Sequence, residues 1–379
     1  MKNQAIFLLF PLIFFGQVLV AQQGMGGGEY AYLQDFPCLT DEQRSEIQQT
    51  LADNIRLLNE RGILLSEYSQ QTVLFDWPLA PAPGLDDYGY HGISNFVDQN
   101  PAFPNQILDY NCGDRTYDLP SGYNHRGIDY FNWPFLWYKM DHDEVMVVAA
   151  APGVIILKQD GNYDRNCGLN SDPWNAIYLQ HADGSLSWYG HMKNGSLTTK
   201  SIGDSVDTGE FLGIVGSSGS STGPHLHFEV HNQFGDLIEP YQGPCNIHNS
   251  ISWWISQRPY YDSAINKLMT HSAPPVFPEC PQQEILNEKN NFAPGDTVYV
   301  AAYYRDQLNS QVSEYYILRP DSSLFASWTH ASNVPYYAAS YWYWYLPLPM
   351  NAPQGVWTFK VLYEGQTYSH GETWCGLGS

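Results

Sequence analysis

Residues 223–231, GPHLHFEVH, alternate strictly between polar and apolar side chains, and this pattern constrains the fold more than any other feature of the chain. On a β-strand successive side chains point to opposite sides. His225, His227, Glu229 and His231 then share one face, while Leu226, Phe228 and Val230 share the other. The apolar face reads as core, so the stretch belongs to a sheet with a buried side. A row of imidazoles adds little to packing, costs desolvation when buried neutral and repels itself when charged. A ligand that uses their lone pairs, such as a metal ion, would account for the row. So would a half-exposed strand whose histidines face water, unless other ligands can be found.

The chain opens MKNQAIFLLFPLIFFGQVLVAQQ, with a lone Lys2, an apolar run from Ala5 to Val20 and a small residue, Ala21, before two glutamines. This pattern predicts a secretory signal peptide over residues 1–21, with no cysteine behind it to carry a lipid. No other stretch is apolar enough to span a bilayer, so the mature chain is expected without a transmembrane span and secreted, at an extracellular, periplasmic or cell-surface location. The chain carries 17 basic against 39 acidic side chains, a net charge of −22, with no basic cluster. Nucleic acid is therefore excluded as a partner. All 6 cysteines lie beyond the leader and none forms a C-x-x-C pair. In an oxidising compartment that argues for up to three disulfides rather than a thiolate metal site, and we expect Cys112 to pair with Cys167 and Cys280 with Cys375.

The segment LTDEQRSEIQQTLADNIRLLNERGIL pairs Thr40 with Gln43 as a capping box and spaces Ile47, Leu51, Ile55 and Leu58 at helical intervals. It predicts one amphipathic helix ending near Gly62, within an N-terminal segment over 22–73. A propeptide and a packing brace fit it equally well. Beyond it the chain turns to short β-branched and aromatic runs separated by glycine, proline and asparagine, so the fold class is mainly β. We expect an antiparallel β-sheet domain over 74–262 and a proline-marked linker over 263–279. A C-terminal β-sandwich of immunoglobulin-like size and rhythm follows over 280–379. Its run of five aromatics, Tyr341 to Tyr345, reads as a strand covered on both sides, with a stacking platform for sugars or peptides as the alternative.

Two further segments offer ligands. In GYNHRGIDYF, His125 and Asp129 flank Gly127; on a straight strand their Cα atoms would stand about 13 Å apart, and the glycine permits a bend that brings both inward. In SWYGHMKNGS, His191 follows two aromatics at a strand end. Neither motif is specific alone. Together and in this order, H-x-G-x-D, Y-G-H and G-x-S-T-G-P-H-L-H resemble the lysostaphin-type zinc metallopeptidases of family M23, which include enzymes that cut peptide cross-links in peptidoglycan. The resemblance covers roughly residues 74–245 and takes in AAAPGVIILKQDG, GDSVDTGEFLGIVGSSG and STGPHLHFEV.

The resemblance implies an M23-type antiparallel catalytic sheet holding one zinc ion on His125, Asp129 and His227, with His191 and His225 as the catalytic histidines. Two histidines and a carboxylate leave zinc an open position, as catalytic chemistry requires. It also implies a secreted metalloendopeptidase acting on peptidoglycan peptides or on glycine-rich extracellular protein. Two other readings are an inactive M23-like regulator and a wall-binding or adhesion protein; the complete set of five residues disfavours the first.

The neighbouring residues are assigned lesser roles. His231 lies about 13 Å along the strand from His227, too far to share its ion. Glu229 is expected to solvate the strand end, and His181 to line the cleft. Gly223 and Pro224 should shape the approach to His225, and Ser217, Ser218, Ser220 and Ser221 should form a flexible rim. Substrate choice should reside in the 160–175 loop and around Tyr88 to Asn95.

Overall fold

The structure is a computed structural model that describes residues 25–30, 37–64, 67–168 and 170–374, the last three by their backbone. The expected leader and Cys375 lie outside the described residues. Among the described residues no helix is long and apolar enough to cross a membrane.

The architecture is mainly β and antiparallel. A large sheet runs in the order His91–Asn95, Ile128–Asn132, His225–His231, Leu186–Gly190, Ala176–Gln180, Gly153–Gln159, Ser205–Val206, with Leu237–Ile238 added beside His225–His231. A small sheet of Phe211–Ile214, Val145–Val148 and Leu79–Pro81 packs against one side of it. Leu226, Phe228 and Val230 lie in the core between the two, together with Ile128, Tyr130, Ile177, Val145 and Val147. The period-2 alternation of the 225–231 strand therefore reports its orientation correctly.

The Asp41–Glu60 helix starts with the expected reciprocal cap: Gln43 N donates to Thr40 Oγ1 at 3.2 Å and Thr40 N to Gln43 Oε1 at 2.9 Å. Its Ile47, Leu51 and Leu58 cover Ile156, Trp174, Tyr178 and Trp188 on the opposite side of the large sheet. That is the side carrying the histidines.

Beyond this unit, two four-stranded sheets enclose a second core that contains Trp344, Trp357, Phe359 and Tyr315. The expected linker over 263–279 is corrected here. Ala264–His271 is a strand paired with Thr297–Leu308, because Ile265 and Leu268 supply apolar anchors to the second core, and the proline cluster only follows it. A second addition is Gly26–Glu29, which pairs with the aromatic strand Tyr336–Pro347. Most of the aromatic run is covered, Trp344 entering the core and Tyr341 and Tyr343 packing with Tyr30 and Phe277 on the other side, while Tyr345 is 47% exposed.

The disulfides also differ from expectation. Cys112 joins Cys245, Cys167 joins Cys280, and Cys38 is a free, buried thiol. The second bond ties a loop beside the histidines to the start of the C-terminal unit, a proximity that depends on tertiary packing.

Candidate metal centre

Strand register assembles the site. His227 stands opposite Asp129 on one neighbouring strand and opposite Gly190 on the other, so His191 follows directly at the strand end. His125 precedes the Ile128–Asn132 strand and folds back: its Nε2 lies 3.0 Å from Asp129 Oδ2. His227 Nδ1 lies 2.9 Å from Asp129 Oδ1. Gly127 matters here for close approach. A Cβ at this position would stand 2.6 Å from the His227 ring and 2.8 Å from the Phe228 carbonyl.

All three side chains are wholly buried. Their outer atoms are fixed by neighbours. His125 Nδ1–H donates to Phe96 O at 2.8 Å, Asn95 Nδ2 donates to Asp129 Oδ2 at 3.1 Å, and His227 Nε2 lies 3.2 Å from Glu229 Oε2. Such contacts select the tautomer and orient the ring that faces an ion. Burial opposes charge on Asp129, yet His125 beside it holds the carboxyl well below the usual range. Burial likewise opposes charge on His125, and the Asp129 carboxylate overcomes it, raising the imidazole to about 9. A bound cation would replace those protons, since metal ligands must be deprotonated.

His191 and His225 stand beside this group with ring centroids 4.3 Å apart. His191 Nδ1–H donates to Ser218 O at 2.6 Å and His225 Nδ1–H to Gly223 O at 2.9 Å, leaving both Nε2 atoms on the inward side. His225 Nε2 is 3.8 Å from Asp129 Oδ1. His191 adopts φ 61°, a left-handed conformation costing on the order of 1 kcal/mol that turns the ring off the strand end toward the cluster. Burial and the neighbouring His225 lower its pKa, which favours a neutral imidazole.

Two expected roles change with burial. Glu229 is fully buried rather than solvating a strand end, because Arg44 from the helix reaches it with Nη1–Oε1 at 2.5 Å and Nη2–Oε2 at 3.0 Å. Burial opposes its charge, and Arg44 holds it well below the ordinary range. His231 Nε2 binds the same carboxylate at 2.7 Å and stays outside the cluster, as its spacing predicts. His181 is a core residue rather than a cleft residue, held by Pro152 O and Ser187 Oγ, both at 2.8 Å.

The serines form a buried scaffold in place of a flexible rim. Ser218 Oγ donates to Met192 O, and Ser217 Oγ donates to Asn166 O. Ser221 Oγ lies 3.3 Å from His225 Nδ1.

Sequence reasoning names no partner for Cys38, and the fold brings its Sγ to 3.6 Å from His227 Nδ1 and 3.5 Å from Tyr117 Oη. Cys38, His125, Asp129 and His227 each offer one donor atom, and these four atoms lie within 4.8 Å of one another. Two imidazoles, a carboxylate and a thiol are the donor types that zinc takes in four-coordinate sites. His125 Nε2, buried and without a hydrogen bond, faces into the group. The residues present therefore fit a zinc ion. Neither Arg44 nor Cys38 carries a local signal of its place here, since each arrives from more than 180 residues away in sequence.

Residues 124–240 match Peptidase family M23. The chain is 40% identical over 85 residues to the DD-carboxypeptidase/endopeptidase Mpg of Neisseria meningitidis serogroup B, covering 22% of this chain and 16% of that protein. It is 41% identical over 78 residues to an uncharacterized metalloprotease of Buchnera aphidicola, covering 21% of this chain and 20% of that one. The chain thus spans no more than a fifth of the length of these curated relatives. Among solved structures, the catalytic domain of lysostaphin from Staphylococcus simulans is 28% identical, covering 33% of this chain and 83% of that one with a TM-score of 0.24. The match to Peptidase family M23 thus spans residues 124–240, the stretch that carries His125, Asp129, His191, His225 and His227.

Proposed function

We propose that the protein is a zinc-dependent metalloendopeptidase that acts outside the cytoplasm on peptides of peptidoglycan, with glycine-rich extracellular peptides as the second substrate class. The observation that supports this most directly is the convergence of His125, Asp129 and His227 into one buried group with His191 and His225 at its side. In this reading His125 Nε2, an Asp129 carboxylate oxygen and His227 Nδ1 hold the ion. When bound, zinc supplies Lewis acidity toward a scissile carbonyl and brings the pKa of an attacking water toward neutrality.

The remaining steps fall to side chains. His191 and His225, with Nδ1–H committed to backbone carbonyls, offer Nε2 to accept the water's proton and return it to the leaving amine. Once protonated, the same atoms donate to the oxyanion of the tetrahedral intermediate. Asn95 and Glu229 hold Asp129 and His227 in place throughout. A wall peptide as substrate is supported by the name of the Neisseria relative, a DD-carboxypeptidase/endopeptidase. An exported location is supported by the leader-like start and by two disulfides, which persist in oxidising compartments.

Elemental analysis of a well-dialysed preparation should find about one zinc per chain. Hydrolysis of wall fragments or glycine-rich peptides should stop with a chelator and return with zinc. A protein that neither holds nor takes up zinc refutes the reading.

A further inference from the structure

The sheet face that carries the histidines is covered by the chain itself. Residues 38–44 cross it beside the metal donors and the Asp41–Glu60 helix continues over the rest, held by contacts of several kinds. Ile47, Leu51 and Leu58 bury against the sheet, and Arg44 closes a two-pronged ion pair on Glu229. Gln43 Nε2 donates to the carbonyls of Ser171 and Asp172, and Asn54 Nδ2 to that of Ile156. A cavity remains on each side. One, of about 220 Å³, is lined by Arg44, Tyr123, His125 and Arg126; the other, of about 140 Å³, by Leu39, Gln43, Ile47 and Trp174. Residues 38–44 lie between the two cavities, contributing Arg44 to the first and Leu39 and Gln43 to the second.

Where the segment passes the donors it places a sulfur. Cys38 is 2% exposed, and the four other described cysteines are paired with one another. With zinc bonds of about 2.3 Å to sulfur and 2.0–2.1 Å to nitrogen, a tetrahedron has a sulfur–nitrogen edge of about 3.6 Å. The Cys38 Sγ to His227 Nδ1 separation is 3.6 Å. His125 Nε2, buried and without a hydrogen bond, faces into the same group.

The geometry points to Cys38 as the fourth ligand of the centre and to residues 38–60 as a built-in inhibitor occupying the substrate groove. The folded full-length chain is then a latent form. This inference rests on the metallopeptidase reading above. Three protein ligands leave a position for water and substrate, whereas a fourth closes the site. A thiolate there excludes both, and the helix keeps it in place until the segment is displaced or cut away.

Cobalt(II) in place of zinc gives a test that does not depend on activity, because thiolate coordination produces a charge-transfer absorption in the near ultraviolet that nitrogen and oxygen ligands lack. The full-length protein loaded with cobalt should show that band. Cys38→Ala, with Cys38→Ser as a second variant in case alanine impairs folding, should bind the same amount of cobalt without it. On wall fragments, Cys38→Ala combined with Arg44→Ala should hydrolyse at least about tenfold faster than the unaltered full-length chain, as expected when a dominant closed population is relieved. Cobalt bound to the unaltered protein without the band overturns Cys38 as a ligand. Equal rates for the unaltered chain and the double variant overturn the inhibitory role. Failure of every form to bind cobalt overturns the metallopeptidase reading itself.

Discussion

Replacing Arg44 by alanine removes one partner of a wholly buried carboxylate. Glu229 has 0% exposure and Arg44 7%, and both guanidinium nitrogens reach it within 3.0 Å. Breaking a buried pair from one side costs about 3–5 kcal/mol because the remaining charge stays uncompensated. Here the lower end applies. Arg126 Nε is 3.8 Å from Glu229 Oε1, and the His231 ring keeps its contact. We expect the closed position of the Asp41–Glu60 helix to lose about 3 kcal/mol, roughly 150-fold in its opening equilibrium. Ile47, Leu51 and Leu58 together contribute about 6 kcal/mol at ~2 kcal/mol each, so the helix still docks but opens more often. Hydrogen exchange followed by mass spectrometry on peptides from 41–60 measures this directly. Adding Glu229→Gln to Arg44→Ala should recover more than half of the lost protection, since a buried amide costs less than a buried charge. An Arg44→Ala change below about threefold, or no recovery in the double variant, refutes the argument that charge burial holds the helix.

Other expected outcomes concern the site and its surroundings. His125→Ala, Asp129→Ala and His227→Ala should each lose zinc and hydrolysis together. His191→Ala and His225→Ala should keep zinc and lose about 10²–10⁴ in rate, so zinc stoichiometry and turnover measured on the same preparations separate the two groups. Gly127→Ala should displace the His227 ring and weaken zinc retention against a graded chelator, with a stability cost of about 1–3 kcal/mol; retention equal to the unaltered protein counts against the close approach. His271, buried with Nδ1–H on Leu286 O, has its pKa lowered by burial to about 4 from 6.5. Between those values the unfolded chain binds a proton that the folded one refuses. Its stabilising effect is therefore complete above pH 6.5 and is lost as pH falls toward 4, by up to about 3 kcal/mol. Urea unfolding at pH 7 and pH 5 should show a steeper loss for the unaltered protein than for His271→Leu; equal losses would sink the assignment.

The sequence by itself determined what depends on local spacing. The alternation in HLHFEVH set its core and polar faces and Thr40 and Gln43 capped the helix, while the resemblance of H-x-G-x-D, Y-G-H and H-L-H to family M23 pointed to five residues that the fold brings close together. These are readable because strand and helix periods, caps and short motifs act over a few residues. Tertiary structure decided whatever required two distant segments to meet. Glu229 looks like a strand-end solvating residue until Arg44 arrives to neutralise it, and His181 looks like a cleft residue until Phe75 packs against it. Residues 263–279 look like a linker until Thr297–Leu308 supplies a partner for Ala264–His271. An even cysteine count suggested up to three bridges, but pairing depends on which Cβ atoms end up close together, and the fold leaves Cys38 as a free thiol beside His227. A side chain's burial, charge and partners are set by everything that packs around it, and most of that lies far away along the chain.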